Sequence, residues 1–123
     1  MNNISDSEWK VMKEIWKKSP LQASEIVEKL EAKTDWNPKT IHTLIRRLVA
    51  KGAIIAKKEG TFYSYYAAVS EDECVKEETK TFLEKCFNGS LNTLISNFIQ
   101  DEKLSEQEID ELRALLNQKN KRG

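Results

Sequence analysis

The segment WNPKTIHTLIRRLVAKG, residues 36–52, specifies a helix with both of its ends defined. Asn37 favours the N-cap position because its side-chain carbonyl can accept a hydrogen bond from a first-turn N–H. Pro38 suits the first helical position, where no N–H is required. Gly52 can adopt the left-handed conformation that ends a helix, and Lys51 suits the negative end of the helix dipole. These residues predict a helix from Pro38 to Lys51, around which the flanking segments have to pack.

The predicted helix has one apolar face and one cationic face. The apolar residues follow the i, i+3, i+4, i+7 spacing of a buried stripe and are Ile41, Leu44, Ile45 and Leu48. The other side carries Lys39, Thr43, Arg46 and Ala50, flanked by His42 and Arg47. No acidic residue occurs between Asn37 and Lys58, although exposed helices usually carry Glu as a partner for Lys. Such a helix fits the major groove of DNA; the alternative is an ordinary solvated surface helix.

Two further helices are predicted before this segment. The capping box from Ser5 to Glu8 starts a helix that runs to about Lys18. After a short extended piece at Leu21-Gln22, residues 23–32 have the apolar periodicity of a second helix.

Two strands are predicted after the central helix. Residues 53–58 and 61–67 are rich in β-branched and aromatic side chains, and Glu59-Gly60 is a hairpin turn signal. Three helices followed by a two-stranded ribbon form the winged helix-turn-helix, in which the third helix reads DNA and the ribbon is the wing. Lys57 and Lys58 lie near the tip of this wing, where they could contact phosphates.

Three amphipathic helices are predicted after residue 69, with N-caps at Ser70, Ser90 and Ser105. Their apolar positions, which are the candidate dimerisation contacts, are Phe82, Leu83, Leu91, Leu94, Ile95, Phe98, Ile109, Leu112, Leu115 and Leu116. About 50 residues form a marginal core when they fold alone. We therefore expect burial against a second copy, or else against the N-terminal half of the same chain.

The predicted fold class is mainly α with a small β-hairpin wing. A winged helix-turn-helix DNA-binding domain spans residues 1–69, and a three-helix dimerisation region spans residues 70–123. A two-fold dimer would place two recognition helices one turn of DNA apart, which suits a palindromic operator.

The charge distribution agrees with this division. The net charge is zero, but residues 1–69 carry 12 Lys and Arg against 8 Asp and Glu, and residues 70–123 carry 8 against 12. The halves therefore differ, +4 against −4, as expected when one part binds a polyanion and the other faces protein.

Several classes of protein are disfavoured by what the chain lacks. It has no 18-residue apolar run and no signal pattern, so we expect a cytoplasmic protein without membrane insertion. Cys74 and Cys86 lie 12 positions apart without a CxxC motif, which favours reduced thiols over a disulfide or a metal site. With one histidine and no Gly-rich phosphate loop, neither an enzyme nor a cofactor is expected.

The chain resembles the BlaI/MecI penicillinase-repressor family over nearly its full length. The similar segments are SEWKVMKEIW, ASEIVEKL, DWNPKTIHTLIRRLVAKG, YSYY, KTFLEKCFNGSLNTLISNF and LSEQEIDELRALL. The resemblance implies a dimeric bacterial transcriptional repressor that binds inverted-repeat operators with TACA/TGTA-type half-sites and controls β-lactam resistance genes. It also implies relief of repression by proteolysis, triggered by a membrane sensor-protease that detects β-lactam, at a bond that would be Asn97–Phe98 here. The cysteine cluster of a related copper-responsive branch is not matched.

The family's DNA contacts match Pro38, Lys39, Thr40, Thr43 and Arg47 of this chain, with wing residues on the backbone. The family usually has Arg at the position of His42 and a small polar residue at that of Arg46, so half-site preference is expected to differ. The full set of predicted DNA contacts is Pro38, Lys39, Thr40, His42, Thr43, Arg46, Arg47, Lys57 and Lys58. For His42, an idle surface imidazole is the alternative. For the whole chain, the alternatives are a winged-helix protein-interaction module and a regulator that senses a small molecule directly.

Overall fold

The computed structural model describes residues 3–122, with the side chains of residues 3–120. The elements in chain order are α1 (Asp6–Lys17), β1 (Leu21–Gln22), α2 (Ala23–Glu31), α3 (Pro38–Lys51), β2 (Ile54–Glu59), β3 (Phe62–Ala67), α4 (Glu71–Phe87), α5 (Leu91–Gln100) and α6 (Glu106–Arg122). The mainly helical class with a small antiparallel sheet is confirmed, and the described part of the chain contains no helix long and apolar enough to cross a membrane.

The chain divides into two compact units, the first ending at Lys76 and the second beginning at Glu77. This division falls within α4, whereas the domain boundary expected from the sequence, between residues 69 and 70, coincides with the start of that helix. The assignment of a DNA-binding domain and a dimerisation domain to these parts stays a prediction.

The core of the first unit is formed by α1, α2 and α3 together with β1 and the start of β2. Its buried residues are Val11, Met12, Ile15, Leu21, Ile26, Val27, Leu30, Ile41, Leu44, Ile45, Leu48, Ala53 and Ile54. The four residues of the stripe predicted on α3 are at most 4% exposed. Because burying each such side chain contributes about 1.5–3 kcal/mol, this stripe determines which face of α3 points outward.

The sheet has three strands in the order β1-β3-β2, all antiparallel, rather than the two expected. Leu21 pairs with Tyr65 and is buried. A two-residue strand carries no alternation pattern, so the sequence indicated an extended piece but not its pairing.

The turn of the hairpin lies one position later than its sequence signal. Glu59 is still paired with Phe62, so the loop residues are Gly60 and Thr61. Gly60 has φ +66°, the left-handed region that tight hairpin loops require at their first position and that glycine adopts without strain.

The N-caps predicted at serines are confirmed. Ser5 and Glu8 form the reciprocal capping box of α1, and Ser105 and Glu108 form that of α6. Ser70 and Ser90 accept first-turn N–H groups at the starts of α4 and α5.

No residue between 77 and 120 is buried, although the second unit contains three amphipathic segments. Of its candidate dimerisation residues, the half-buried ones are Leu83, Leu94, Ile95, Ile109 and Leu112, and the exposed ones are Phe82, Leu91, Phe98, Leu115 and Leu116. On α4, Cys74 is buried in the first unit and Cys86 is exposed.

An ion pair that the sequence did not indicate joins α1 to the end of α3. Glu8, whose side chain is 2% exposed, accepts hydrogen bonds from Lys51 Nζ and from the Ser5 backbone N–H. Lys51 Nζ also donates to the Asn3 carbonyl oxygen at 2.8 Å. Burial raises the pKa of Glu8, but the hydrogen bonds and the positive charge of Lys51 outweigh it, so that the pKa lies below its ordinary value.

We predict that Lys51→Met destabilises the protein by about 2–3 kcal/mol, because it leaves a carboxylate buried without its partner. This is less than for a fully buried pair, since the Lys51 side chain keeps 28% of its surface exposed. Glu8→Gln should cost less, because the amide oxygen still accepts from Ser5. Denaturant unfolding measures both variants, and equal stability of Lys51→Met and wild type would contradict the prediction.

The lowered pKa of Glu8 also gives a pH dependence with a definite sign. Its stabilisation is complete above the unfolded-state pKa, about 4.3, and is lost as the pH falls through the lower folded-state value. The stability of Glu8→Gln should therefore fall less steeply than that of wild type below pH 4.3.

Candidate nucleic-acid interface

Both ends of α3 have the geometry expected from the sequence. Asn37 Oδ1 accepts a hydrogen bond from the Thr40 N–H at 2.9 Å, and Pro38 occupies the first turn. Gly52 has φ +82° and donates to the Val49 carbonyl oxygen at 3.0 Å. The length of α3 is thus fixed by its own sequence.

The outward face of α3 carries the predicted DNA-contact residues together. The exposed ones are Pro38, Lys39, Thr40, His42, Arg46 and Arg47, and Thr43 is half-buried. Thr43 Oγ1 donates to the Lys39 carbonyl oxygen at 3.0 Å and accepts from Arg46 Nη2 at 3.1 Å. The guanidinium of Arg46 is therefore held along the helix towards its N-terminal half, and the single hydroxyl hydrogen of Thr43 is already donated.

The positive charge of this face is not neutralised within the described part of the chain. The ion pairs there join Glu14 to Lys17 and Lys33, Glu8 to Lys51, Asp72 to Lys76, and Asp110 to Arg113. Lys39, Arg46 and Arg47 belong to none of them. The outward face of α3 therefore presents to solvent cationic side chains that form no ion pair with another described residue.

The two wing lysines point to opposite faces of the hairpin, since adjacent strand residues alternate. Lys57 Nζ lies 5.0 Å from the centroid of the Tyr66 ring, and the Tyr66 hydroxyl donates to Glu59 Oε1 at 2.6 Å. This hydrogen bond to a carboxylate raises the pKa of Tyr66. Lys58 pairs with Tyr63 on the other face. The two ammonium groups therefore cannot approach one phosphate from the same side of the wing.

A groove of about 390 Å³ lies between α3 and the wing. Its lining residues are Ile45, Arg46, Val49, Ala50, Ala56, Tyr63 and Tyr65. Sequence reasoning missed Tyr63 and the neighbouring wing-tip residue Phe62, both exposed. The available signal was a pair of consecutive aromatic residues directly after a turn. Because adjacent strand residues point to opposite faces of the sheet, only one of the two can be buried.

The predicted cleavage site lies inside a helix of the second unit. Asn97 and Phe98 are both exposed residues of α5. Their carbonyl oxygens accept hydrogen bonds from Asp101 at 3.2 Å and from Lys103 at 3.0 Å. Among the described residues, no three His, Cys, Asp or Glu side chains lie close enough together to hold a metal ion.

Three helices, a short first strand and a hairpin with lysines near its tip define the first unit as a winged helix-turn-helix domain. The model of the penicillinase repressor family matches residues 4–118. The chain is 44% identical over 116 residues to the methicillin resistance regulatory protein MecI of Staphylococcus aureus strain N315, covering 94% of each chain. It is 39% identical over 113 residues to the penicillinase repressor of Bacillus licheniformis, covering 92% of this chain and 88% of that one.

The first unit also resembles a solved structure. The solution structure of monomeric Bacillus licheniformis BlaI in complex with the blaP half-operator is 40% identical, with a TM-score of 0.54, and the match covers 58% of this chain and 88% of that chain. The chain therefore belongs to the penicillinase repressor family. The resemblance and the winged-helix fold expected from the sequence are confirmed, and the family is one of repressors rather than enzymes.

Proposed function

We propose that the chain is a DNA-binding transcriptional repressor of resistance genes that binds a palindromic operator through α3 and the wing. The observation that carries this proposal is the outward face of α3, which is cationic, lacks acidic neighbours and is oriented by a fully buried stripe on its other side. The BlaI half-operator complex, 40% identical over the first unit, supports it. Such a repressor works in the bacterial cytoplasm, where its operator lies.

In this proposal, the first half of α3 enters the major groove. Lys39 lies close to the base edges, and Thr40 and Arg47 reach phosphates on the groove wall. Thr43 offers a base its methyl group and its second lone pair, because its hydrogen is donated to the backbone. Arg46 leaves Thr43 to form a bidentate pair with guanine O6 and N7. His42, exposed beside them, is a further donor or acceptor.

In the wing, Lys57 and Lys58 contact different phosphates, because they lie on opposite faces of the hairpin. Such contacts position the protein without reading sequence.

Selection of bound duplexes from a random pool tests the function directly. The recovered duplexes should share a two-fold repeat, and sites without symmetry would contradict a dimeric reader. With about six phosphate contacts, the affinity should fall roughly 10³-fold between 50 and 200 mM salt. Recovery of no duplex at low salt would overturn the DNA-binding proposal.

We predict that Arg46→Ala and Lys58→Ala weaken operator binding in different ways. Arg46→Ala should cost about 1–3 kcal/mol at one base pair and change the preferred base there, because a bidentate contact is lost. Lys58→Ala should weaken all sequences alike and make the salt dependence shallower by about one unit of slope. Binding of a panel of operator variants measures both, with Lys103→Ala as the control. Uniform weakening by Arg46→Ala would show that Arg46 reads no base.

We further propose that the second unit forms a homodimer through its apolar faces. Leu115 and Leu116 of α6 are 62% and 61% exposed in the single chain, and Leu91 and Phe98 of α5 are also exposed. Contiguous apolar surface marks interaction sites in soluble proteins, and in our proposal these side chains belong to one such surface. Binding to the proposed two-fold operator requires a second copy of the chain, which is therefore the partner that covers these side chains.

We predict that Leu116→Glu dissociates the dimer, because it places a charge in the apolar interface. Ala114→Glu is the matched control, since Ala114 lies on the opposite side of α6 and is exposed in the single chain. Analytical ultracentrifugation should find the Leu116→Glu variant monomeric and the Ala114→Glu variant dimeric at the same concentration. Equal oligomeric states of the two variants would contradict this interface.

Relief of repression by cleavage at Asn97–Phe98 is a proposal that comes from the family resemblance. The bond lies within α5, so a protease would need this helix to open locally. The absence of any buried residue from 77 to 120 supports opening at low cost.

We predict that co-expression with a β-lactam-triggered sensor-protease yields a fragment ending at Asn97 after β-lactam is added. Phe98→Lys should prevent this cut, whereas Ile99→Lys, at an exposed neighbouring position, should allow it. Mass spectrometry of the fragments identifies the bond. An intact chain, or a cut elsewhere, would contradict the proposal.

A further inference from the structure

A second cationic surface lies in a cleft of about 260 Å³ between α1 and α2. Its lining residues are Lys10, Lys13, Glu14, Lys17, Leu30, Lys33 and Thr34. Four of them are lysines and one is acidic, and none belongs to α3 or to the wing. In a chain with zero net charge, this cleft carries a local charge of +3.

The single carboxylate of the cleft, that of Glu14, is already paired with two lysines. The Glu14 side chain is 6% exposed and accepts a hydrogen bond from Lys33 Nζ at 2.8 Å, with Lys17 Nζ at 3.8 Å. The neighbouring Lys33 side chain lowers the pKa of Lys17, and the hydrogen bond to Glu14 raises the pKa of Lys33. Two ammonium groups thus compete for one carboxylate, and a second anion in the cleft would relieve their repulsion.

Three of the four lysines form a row along α1. Lys10, Lys13 and Lys17 recur once per helical turn, so the row is about 10 Å long at 1.5 Å per residue. All three are exposed, and Lys10 Nζ lies 5.4 Å from the centroid of the Trp36 ring. A row of separated charges suits a linear polyanion better than a single small anion. Each strand of duplex DNA carries one charge per about 3.4 Å of axis, so the row spans about three phosphates.

We propose that the cleft between α1 and α2 is a second DNA-backbone site, which binds the phosphodiesters of duplex DNA independently of α3 and of base sequence. This goes beyond the proposed function, because it requires neither the recognition helix nor the wing. A repressor bound to its operator through α3 could then hold a second duplex segment through this row of lysines.

The test separates the two surfaces by mutation. The α3 variant carries Lys39→Ala, Arg46→Ala and Arg47→Ala. The cleft variant carries Lys10→Gln, Lys13→Gln and Lys17→Gln. Lys33 is kept, because its loss would leave the buried Glu14 without its closer partner. The control variant removes the same charge from exposed lysines of the second unit through Lys80→Gln, Lys85→Gln and Lys103→Gln. Thermal unfolding confirms that each variant is folded.

Binding of a fluorescent 20-base-pair duplex without a two-fold repeat is measured by anisotropy over a range of salt concentrations. The α3 variant should retain binding. Adding the cleft substitutions should lower the remaining affinity at least about tenfold and make the salt slope shallower by about 2–3 units, as expected for three lost phosphate contacts. Adding the control substitutions instead should change the affinity less than about threefold.

Loss of all duplex binding in the α3 variant would overturn the inference, and so would equal effects of the cleft and control substitutions. Binding of a polyglutamate peptide at the cleft, without binding of duplex, would overturn it in favour of an acidic protein partner. Failure of the proposed function would give a different result: the duplex sequences selected from a random pool would be the same for wild type and the α3 variant.

Discussion

The burial of four apolar side chains on one face of α3 is the constraint on which the candidate interface depends. Ile41, Leu44, Ile45 and Leu48 pack into the core with α1 and α2, and this leaves one rotation of the helix available. The 100° step of the helix then places Lys39, Thr43 and Arg46 outward together. Substitution of a residue in this buried stripe would therefore rotate or loosen α3 and its cationic face, although no residue of the stripe lies on that face.

Two buried carboxylates of α1 add direction to this packing. Glu8 binds Lys51 at the C-terminal end of α3, and Glu14 binds Lys33 in the turn that leads from α2 to α3. Apolar contacts tolerate small displacements, whereas a buried carboxylate has to lie next to its cation, because leaving it without a partner costs about 2–3 kcal/mol. Helix α1 therefore holds the C-terminal end of α3 and the turn that leads into it. In the DNA complex that we propose, the angle of α3 in the groove would depend on these residues, which are remote from the bases.

How far the sequence predicts the structure depends on the range of the interaction. Asn37, Gly52 and the serine caps act within one turn, so the ends of α1, α3 and α5 could be predicted to within about one residue. The pairing of β1, the one-position shift of the turn and the partners of Glu8 and Glu14 join residues distant in the chain. Glu8 shares the i, i+3, i+4, i+7 spacing of the α1 core with Val11, Met12 and Ile15, so periodicity places it on the buried face but does not identify Lys51 as its partner. Glu14 lies off that stripe, and periodicity does not indicate its burial. At the interface, the exposed row on α3 could be predicted, but not the hydrogen bond that holds Arg46 on Thr43.

The second unit differs from the first in the burial of its apolar side chains. In the first unit, the apolar stripes of three helices are buried within the chain, whereas the apolar residues of 77–120 are at most half-buried. Burying Leu91, Phe98, Leu115 and Leu116 against a second copy would contribute about 1 kcal/mol for each side chain, since each keeps only 44–62% of its surface exposed in the single chain. The same exposure places the Asn97–Phe98 bond in a helix with little tertiary packing to oppose its opening. In the dimer and cleavage that we propose, the two processes compete for one surface. A second copy that buries Phe98 would protect the bond, so that a protease would act fastest on the monomeric fraction of the repressor.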